Sequence, residues 1–353
     1  MNPPYTISRI SKEAYMPETS TARILKKIKS VSRGKIDISY AAIGLGIIVA
    51  EIREKRYSGI ENNPMVKHWL KSAVTTLEGK RVLVTFVYPV DDKDENEKAI
   101  IDVVRDVDKD AIVHGVFEEK VYAKPSLEYY RSRGALTPLK ALHVQSGHPI
   151  TRTVSYHEVI TRFKMMRENY KKYRREAYMY AIALGERDAL NMVDELKKYM
   201  ILVRGKQRGV KAKINAYIDR MSWAIRGSKL SLLGNDAVSV AIIARAPSQR
   251  CLQEVATNLM TYLYTSSFTI NEAERKVMGV IVVPAVGNTT TDELENLVSA
   301  NCATIENTIV LKKSVYKVTI PFMNFNIDRW LPTRMPLDKL EEILKRKSKK
   351  YRV

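Results

Sequence analysis

The segment RVLVTFVYP at residues 81–89 decides the fold class, because it is an apolar run that leads into an amphipathic segment. Such a run is typical of a buried β-strand. The residues from Asn96 to Val107 follow with the spacing of a helix, and those from Ala111 to Ala123 form a second apolar stretch. This order predicts one β-α-β unit.

The same outline of strand, turn and helix recurs twice farther along the chain. One copy starts with AYMYAIAL at residue 177, turns at Gly185, and then carries apolar residues at helical spacing: Leu190, Val193, Leu196 and Met200. The other starts with AVSVAIIA at residue 237, turns at residues 246–248, and places Leu252, Val255 and Leu259 on a helix. The copies lie 60 residues apart (237 − 177), which suggests a weak internal duplication.

The segments after the third unit add strands and a helix. The run VMGVIVVPAV at 277–286 predicts a buried strand, and Thr290-x-x-Glu293 is a capping box that opens a helix. Residues 308–322 alternate like a strand pair broken near Lys313. We therefore expect an α+β fold of ferredoxin-like β-α-β units, which form a mostly antiparallel sheet with helices on one face.

Additional helices are expected at the N-terminus, in the middle (155–176) and at the C-terminus (337–350). These features divide the chain into four predicted regions. They are a basic N-terminal helical region (1–75), a small β-α-β unit with an acidic face (76–135), a main basic α+β domain (136–335), and a basic C-terminal helical tail (336–353).

The charge of the chain is concentrated in its middle. The 353 residues contain 59 Lys and Arg against 39 Asp and Glu, a formal net charge of +20. Residues 136–229 alone hold 20 basic and 8 acidic residues, and thus 20 − 8 = +12 of that surplus. A block of this kind can raise the local potential enough to capture a polyanion.

Two cysteines in the whole chain exclude a disulfide framework and a zinc site of four cysteines, and they suit a reducing compartment. Both Cys251 and Cys302 are interpreted as small buried residues. The longest apolar run, from Ile38 to Ile52, is too short and too interrupted to span a bilayer and is read as a buried helix or strand. A cytoplasmic protein without a membrane span is expected, or a virion protein if the source is viral.

A candidate nucleic-acid-binding surface lies between residues 162 and 213. Arg167, Lys171 and Arg174 share one stripe of a predicted helix, with aromatic rings beside them that could stack on unpaired bases. A glycine-containing basic loop and a strand with a basic outer face follow. The predicted binding residues are Arg162, Lys164, Arg167, Tyr170, Lys171, Lys172, Tyr173, Arg174, Arg175, Arg204, Lys206, Arg208, Lys211 and Lys213.

Motifs for catalysis are largely missing. The sequence has no P-loop, and Gly44-x-Gly46 begins a dinucleotide fingerprint whose third glycine is replaced by Val49. The spacings of His143, His148 and His157 match no metal motif, so they are read as core or surface residues. We therefore expect no cofactor, no metal and no enzyme.

The sequence predicts a non-enzymatic, sequence-tolerant protein that binds single-stranded RNA or DNA. It is expected to assemble in several copies, like a nucleocapsid or scaffold protein, through an apolar stripe of the C-terminal tail at Leu337, Leu340, Ile343 and Leu344. The alternative is a structural component of a viral or DNA-transfer machine whose basic surface binds an acidic protein or a membrane. An enzyme acting on nucleic acid would need a cluster of carboxylates around magnesium.

Overall fold

The structure is a computed structural model that describes most of the N-terminal third and several later segments of the chain. The described residues are 7–122 (without 14, 65, 68, 78 and 118), 156–184, 225–232, 237–262, 265–284, 291–317, 325–326 and 329–330. The predicted segments 185–224 and 331–353, including the C-terminal tail, lie outside them.

The fold is α+β, as the sequence predicts, and its described strands pair only in antiparallel fashion. The helices are α1 (Ile7–Glu13), α2 (Glu18–Val31), α3 (Tyr57–Glu61), α4 (Lys93–Val107), α5 (Tyr156–Leu184), α6 (Gln249–Thr261) and α7 (Thr291–Ser299). The strands are β1 (Ser32–Ile38), β2 (Leu45–Arg53), β3 (Leu70–Thr76), β4 (Arg81–Pro89), β5 (Ile112–Phe117), β6 (Glu119–Tyr122), β7 (Ile225–Leu232), β8 (Ala237–Arg245), β9 (Thr265–Asn271), β10 (Lys276–Pro284), β11 (Thr304–Lys317), β12 (Phe325–Asn326) and β13 (Arg329–Trp330).

Residues 45–117, the first half, form a β-α-β-β-α-β unit from β2 to β5. Its strands lie in the order β5-β2-β4-β3. β2 is buried along almost its whole length, which explains its apolar sequence LGIIVAEIR. Helix α4 packs on β2 and β4 and buries Ala99, Ile100 and Val104, which recur at helical spacing.

Residues 237–317, the second half, repeat this arrangement from β8 to β11. Their strands lie in the order β11-β8-β10-β9. Helix α6 begins where the hydroxyl of Ser248 accepts a hydrogen bond from the backbone N–H of Cys251. The predicted apolar stripe of this helix is confirmed, because Leu252, Val255 and Leu259 are fully buried.

Among the described residues, the two halves share one nine-stranded sheet. The end of each half's fourth strand pairs with a strand of the other half. β11 pairs with β8 from Thr304 to Leu311 and, from Leu311 onward, with β3 of the first half. β5 pairs with β2, and its continuation β6 pairs with β9 of the second half. Because the two outermost strands of the sheet, β5 and β6, are separated by a single residue, the sheet closes on itself.

The two faces of β8 show that this closed sheet has an inside and an outside. Val240, Ile242 and Ala244 pack in one apolar cluster with α6 and α7. The alternate residues Ala241 and Ile243 belong to a second cluster, which contains the strands of the first half. Helices therefore cover the outer face of the second half, and the inner faces of the two halves pack against each other.

The internal repeat differs from the one that the sequence suggests. The strands that begin at Leu45 and Ala237 are equivalent, and their starts lie 237 − 45 = 192 residues apart. The fourth strands, which begin at Ile112 and Thr304, give the same offset of 304 − 112 = 192 residues. The predicted duplication at 60 residues is wrong, because its first copy is not a strand: residues 177–184 are the last part of α5.

The predicted boundary between residues 75 and 76 falls at the end of β3, which pairs with β4. The predicted break in the strand after residue 308 is wrong. β11 is continuous from Thr304 to Lys317, with irregularities of register between Leu311 and Lys313 and between Ser314 and Tyr316. In the part of the chain that the structure describes, no helix combines the length and the apolar character needed to cross a membrane.

The sequence suggests that the two cysteines are independent buried residues, but this prediction is wrong. Cys251 and Cys302 form a disulfide, with their Cα atoms 5.9 Å apart. They lie in the first turn of α6 and in the turn after α7, which the fold brings together although 51 residues separate them in sequence. The disulfide thus links α6 covalently to the turn that follows α7, in the helical layer of the second half.

Candidate functional site

Charged and polar side chains gather inside one end of the closed sheet, where residues of both halves meet. We call this set the inner network, and its members are Glu51, Arg81, His114, Arg245, Lys276, Glu306 and Asn307. Glu51, His114 and Lys276 are only 6%, 4% and 6% exposed. Burial of ionisable groups is costly unless they are paired, so such a cluster is a candidate functional site.

Two irregularities of strand register position key members of the network. In β5, the residue pairing with Ala50 is Val113 and the residue pairing with Val49 is Gly115, so His114 is the extra residue. In β11, Ala244 pairs with Ile305 and Ile243 with Asn307, so Glu306 is the extra residue. Bulges of this type re-aim a side chain and often lie near functional sites.

Glu51 is the centre of the first part of the network. Its Oε2 atom lies 3.2 Å from Nε2 of His114 and accepts a hydrogen bond of 3.4 Å from the side-chain amide of Asn307. Its Oε1 atom lies 3.6 Å from Nε of Arg81. Glu51 and His114 belong to the first half and Asn307 to the second, so the contacts cross the interior of the sheet.

Lys276 is the centre of the second part. Its ammonium donates to the backbone carbonyl of His114 at 2.5 Å and lies 2.8 Å from Oε2 of Glu306. Arg245 donates from Nε to the other carboxylate oxygen of Glu306 at 2.5 Å. Burial alone would raise the pKa of Glu306, but the hydrogen bonds from Lys276 and Arg245 outweigh it and lower that pKa. Glu306 therefore remains a carboxylate.

A glycine in β5 makes room for Lys276. Gly115 has a backbone φ of +150°, a conformation that favours glycine. A Cβ atom at this position would lie 3.2 Å from Cδ of Lys276. The backbone at the bulge thus lets the lysine reach the carbonyl of His114.

A second ion pair, between Arg53 and Asp108, lies beside the inner network. Asp108, which is fully buried, accepts hydrogen bonds from the backbone N–H of Arg53 at 2.8 Å and from its Nε at 2.9 Å. Burial would raise the pKa of Asp108, but the hydrogen bonds of Arg53 and the backbone N–H of Asp110 lower it overall. This pair ties the end of β2 to the end of α4.

The arrangement can hold and move a proton. A histidine that contacts a carboxylate has one ring nitrogen oriented by its partner and can exchange a proton at the other. The cations around Glu51 and Glu306 hold both carboxylates in place. Within the residues that the structure describes, no group of three or more histidine, cysteine, aspartate or glutamate side chains could hold a metal ion.

The predicted nucleic-acid-binding residues on α5 do not all face outward. Tyr170 is 2% exposed, donates a hydrogen bond of 2.9 Å to Asp91 and packs in the core of the first half. The interleaved Phe163 is buried against the helices of the second half. These rings hold α5 on the body of the protein and are not available for base stacking.

The basic side chains between Arg162 and Lys172 lie on the outer side of α5. Arg162, Lys164, Lys171 and Lys172 are exposed, and Arg167 and Tyr173 are partly exposed. Lys171 lies 3.0 Å from Glu168, and the ammonium of Lys172 lies 5.0 Å from the ring centre of Tyr173. Arg174 and Arg175 also belong to helix α5. Arg204, Lys206, Arg208, Lys211 and Lys213 lie outside the described residues.

Comparison with solved structures finds an enzyme. The crystal structure of the siroheme decarboxylase NirDL is 9% identical to the chain with a TM-score of 0.47, and the match covers 97% of this chain and 93% of that one. The same enzyme in co-complex with an iron-uroporphyrin III analogue is 10% identical with a TM-score of 0.45, covering 98% and 92%. No protein-family model matches the chain, and no curated protein matches it.

The prediction of a non-enzymatic nucleic-acid-binding protein is therefore not retained. The structural neighbours are structures of a decarboxylase. The burial of Tyr170 and Phe163 removes two of the three rings of the predicted stacking surface. The chemistry of this chain has to be argued from its own residues.

Sequence reasoning missed every member of the inner network. Glu51 is a single acid within an apolar run, and His114 is a single histidine in the strand IVHGVF. Their partners Asn307 and Lys276 lie 256 and 162 residues away in sequence. The one available signal is the placement of an ionisable residue at an inward position of a predicted strand, which is costly without a partner.

Proposed function

We propose that the chain is an enzyme that transfers a proton to or from a small polar molecule at this end of the closed sheet. His114 is the group that exchanges the proton, and Glu51 is the residue that positions its ring. Each half is proposed to be a ferredoxin-like unit, and the site depends on both of them. The 3.2 Å contact between buried Glu51 and His114 carries this proposal.

The burial of the pair supports this role. A carboxylate and an imidazole that are removed from water interact more strongly with each other than the same groups do on the surface. An apolar pair of similar volume would cost less to bury. Retaining both polar groups in the interior is therefore explained by a function that needs them.

The exposure of the network indicates the direction from which a molecule can approach. The side chains of Arg81 and Arg245 are 31% and 49% exposed, whereas that of His114 is 4% exposed. The two arginines are therefore members of the network that a dissolved molecule can touch, whereas the histidine is buried. Their partial exposure suits the first contact with a polar substrate, which then reaches His114.

Deuterium transfer tests the proposal for any small molecule that exchanges a proton with the site. The full chain is incubated in D2O with the small-molecule fraction of a cell extract, and mass changes are recorded by mass spectrometry. We expect the wild-type protein to label at least one compound that H114Q does not label. E168Q, which changes an exposed glutamate of α5, is the matched control and should behave like wild type. Identical spectra for wild type and H114Q would reject the proposed function.

The positioning role of Glu51 needs a second measurement. E51Q keeps the shape of the side chain but removes the charge that orients the ring of His114 through the 3.2 Å contact. We expect the NMR signal of the Nε2 atom of His114 to shift in E51Q and to stay in place in the control E168Q. An unchanged signal in E51Q would show that Glu51 has no influence on the histidine.

A further inference from the structure

The disulfide between Cys251 and Cys302 lies close in sequence to two members of the inner network. Arg245 ends β8 six residues before Cys251 (251 − 245), and Glu306 follows Cys302 by four residues (306 − 302). The side chains of Arg245 and Glu306 are hydrogen-bonded to each other. The covalent bond and the ion pair therefore join the same two segments of the second half.

The turn that contains Cys302 has an unfavourable backbone conformation. Ala300 and Asn301 have φ angles of 52° and 58°, in the left-handed region that disfavours residues with a Cβ atom. Hydrogen bonds from the backbone N–H groups of Cys302 and Ala303 to the carbonyl of Ser299, at 3.0 and 2.8 Å, close the turn. Such a conformation persists only where its surroundings hold it in place.

We propose that this disulfide is a redox-controlled clamp that fixes Glu306 in the inner network. In the oxidised protein, the bond holds the turn at 300–303 against the first turn of α6. In the reduced protein, the turn relaxes, the start of β11 loosens, and Glu306 separates from Arg245 and Lys276. The consequence for activity rests on the proposed function of the network, whereas the structural coupling does not.

The environment of the two sulfurs gives the reduction a direction. Cys302 is partly exposed, whereas Cys251 is 3% exposed, so the thiolate of a dithiol reductant attacks the sulfur of Cys302. The bond between the two sulfurs breaks, and Cys251 leaves as a thiolate at the N-terminal turn of α6, where the helix dipole favours negative charge. The second thiol of the reductant then displaces Cys302. Two electrons pass to the protein, and the reductant becomes a disulfide.

The carboxylate of Glu254 supports the same direction. Its Oε2 atom lies 3.9 Å from Sγ of Cys302, and a negative charge at this distance disfavours a thiolate on Cys302. Cys251 is therefore the better leaving group. E254Q removes this charge, so the two sulfurs should become more alike as leaving groups. The rate of reduction should therefore change, while the oxidised structure stays intact.

Hydrogen exchange of the full chain tests the clamp. Oxidised protein and protein reduced with dithiothreitol are compared by mass spectrometry, with thiol counting to confirm each state. We expect at least tenfold faster exchange in peptides covering 300–308 after reduction and unchanged exchange in 81–89. The double variant C251S/C302S should resemble the reduced protein with or without dithiothreitol. Equal exchange of 300–308 in both states, or failure of the two thiols to form the bond under mild oxidation, would overturn the proposal.

The deuterium-transfer assay separates this proposal from the proposed function. If hydrogen exchange responds to reduction but neither redox state transfers deuterium, the clamp stands and the enzymatic role fails. If transfer depends on His114 but is equal in both redox states, the enzymatic role stands and the control by the disulfide fails. Loss of transfer together with loss of protection at 300–308 supports both.

Discussion

The side-chain amide of Asn271 donates a hydrogen bond of 2.7 Å to the backbone carbonyl of Val116. Asn271 ends β9 and Val116 lies in β5, so this bond crosses the seam where the second half meets the first. The other end of the asparagine side chain accepts from the backbone N–H of Glu274 at 2.9 Å and fixes the turn before β10. One buried side chain thus holds both the seam and the adjacent hairpin.

Replacing Asn271 by alanine should destabilise the protein by about 1–3 kcal/mol, because a buried carbonyl loses its partner. Urea unfolding measures the loss, and hydrogen exchange should show it first in residues 116–122. The matched control is N258A, which removes an amide hydrogen bond to Leu297 within the helical layer. Similar exchange of 116–122 in both variants would show that Asn271 has no special role at the seam.

Lys276 should contribute more to stability than a surface cation. K276M leaves the carbonyl of His114 and one oxygen of Glu306 without their donor, at a cost of about 1–3 kcal/mol. The control R250M removes an exposed pair with Glu254, and such pairs contribute about 0–1 kcal/mol. Both are measured by urea unfolding at neutral pH. Equal losses of unfolding free energy in K276M and R250M would mean that the burial of Lys276 does not increase its contribution to stability.

The contribution of Glu306 should depend on pH in one direction. Its pKa is lowered in the folded protein by Lys276 and Arg245 despite partial burial. Its stabilising effect is therefore present above the unfolded pKa of about 4.3 and is lost as the pH falls through the folded value.

Thermal unfolding of wild type and E306Q from pH 7 to pH 3 measures this dependence. We expect wild type to be the more stable at pH 7, by up to about 1 kcal/mol because the side chain is partly exposed. The difference should shrink in acid. A gap that widens on acidification would contradict the assigned direction of the pKa change.

Gly44 and Tyr170 should be coupled. Gly44 has a φ of +71°, and a Cβ atom at this position would collide with the ring of Tyr170. G44A should therefore cost about 1–2 kcal/mol for the backbone alone, and more from the clash. In the double variant G44A/Y170A the clash disappears, so the combined loss should be smaller than the sum of the single losses. Additive losses in urea unfolding would show that the two residues do not interact.

The strands and helices with strong apolar patterns are those that sequence could predict. β4, α4, β8 and α6 all appear at or near their expected positions, because each buries a continuous run or a regular stripe. The segment AYMYAIAL failed because a short apolar run does not distinguish a strand from a buried helix. It lies within the 29 residues of α5, in the helical part that follows a kink at Tyr173, where φ is −123° and ψ is 31°.

The candidate site could not be predicted, because its residues are brought together only by closure of the sheet. Glu51 and Asn307 stand 256 residues apart, and no local spacing relates them. The bulges that turn His114 and Glu306 toward the network depend on the pairing register, which the sequence alone does not fix. Net charge was a misleading guide, since it reports on the surface and its partners but not on interior chemistry.

The exchange of strand ends has a consequence for how the two halves depend on each other. If residues 45–122 were made as a separate chain, β3 would offer its outer backbone groups to the solvent with no neighbour to receive them, and β6 would have no strand to follow. Unpaired edges of this kind bind other strands that can pair with them. If the two halves were made as separate polypeptides, we therefore expect them to associate with each other. The covalent connection keeps them in a one-to-one ratio and favours pairing between unlike halves.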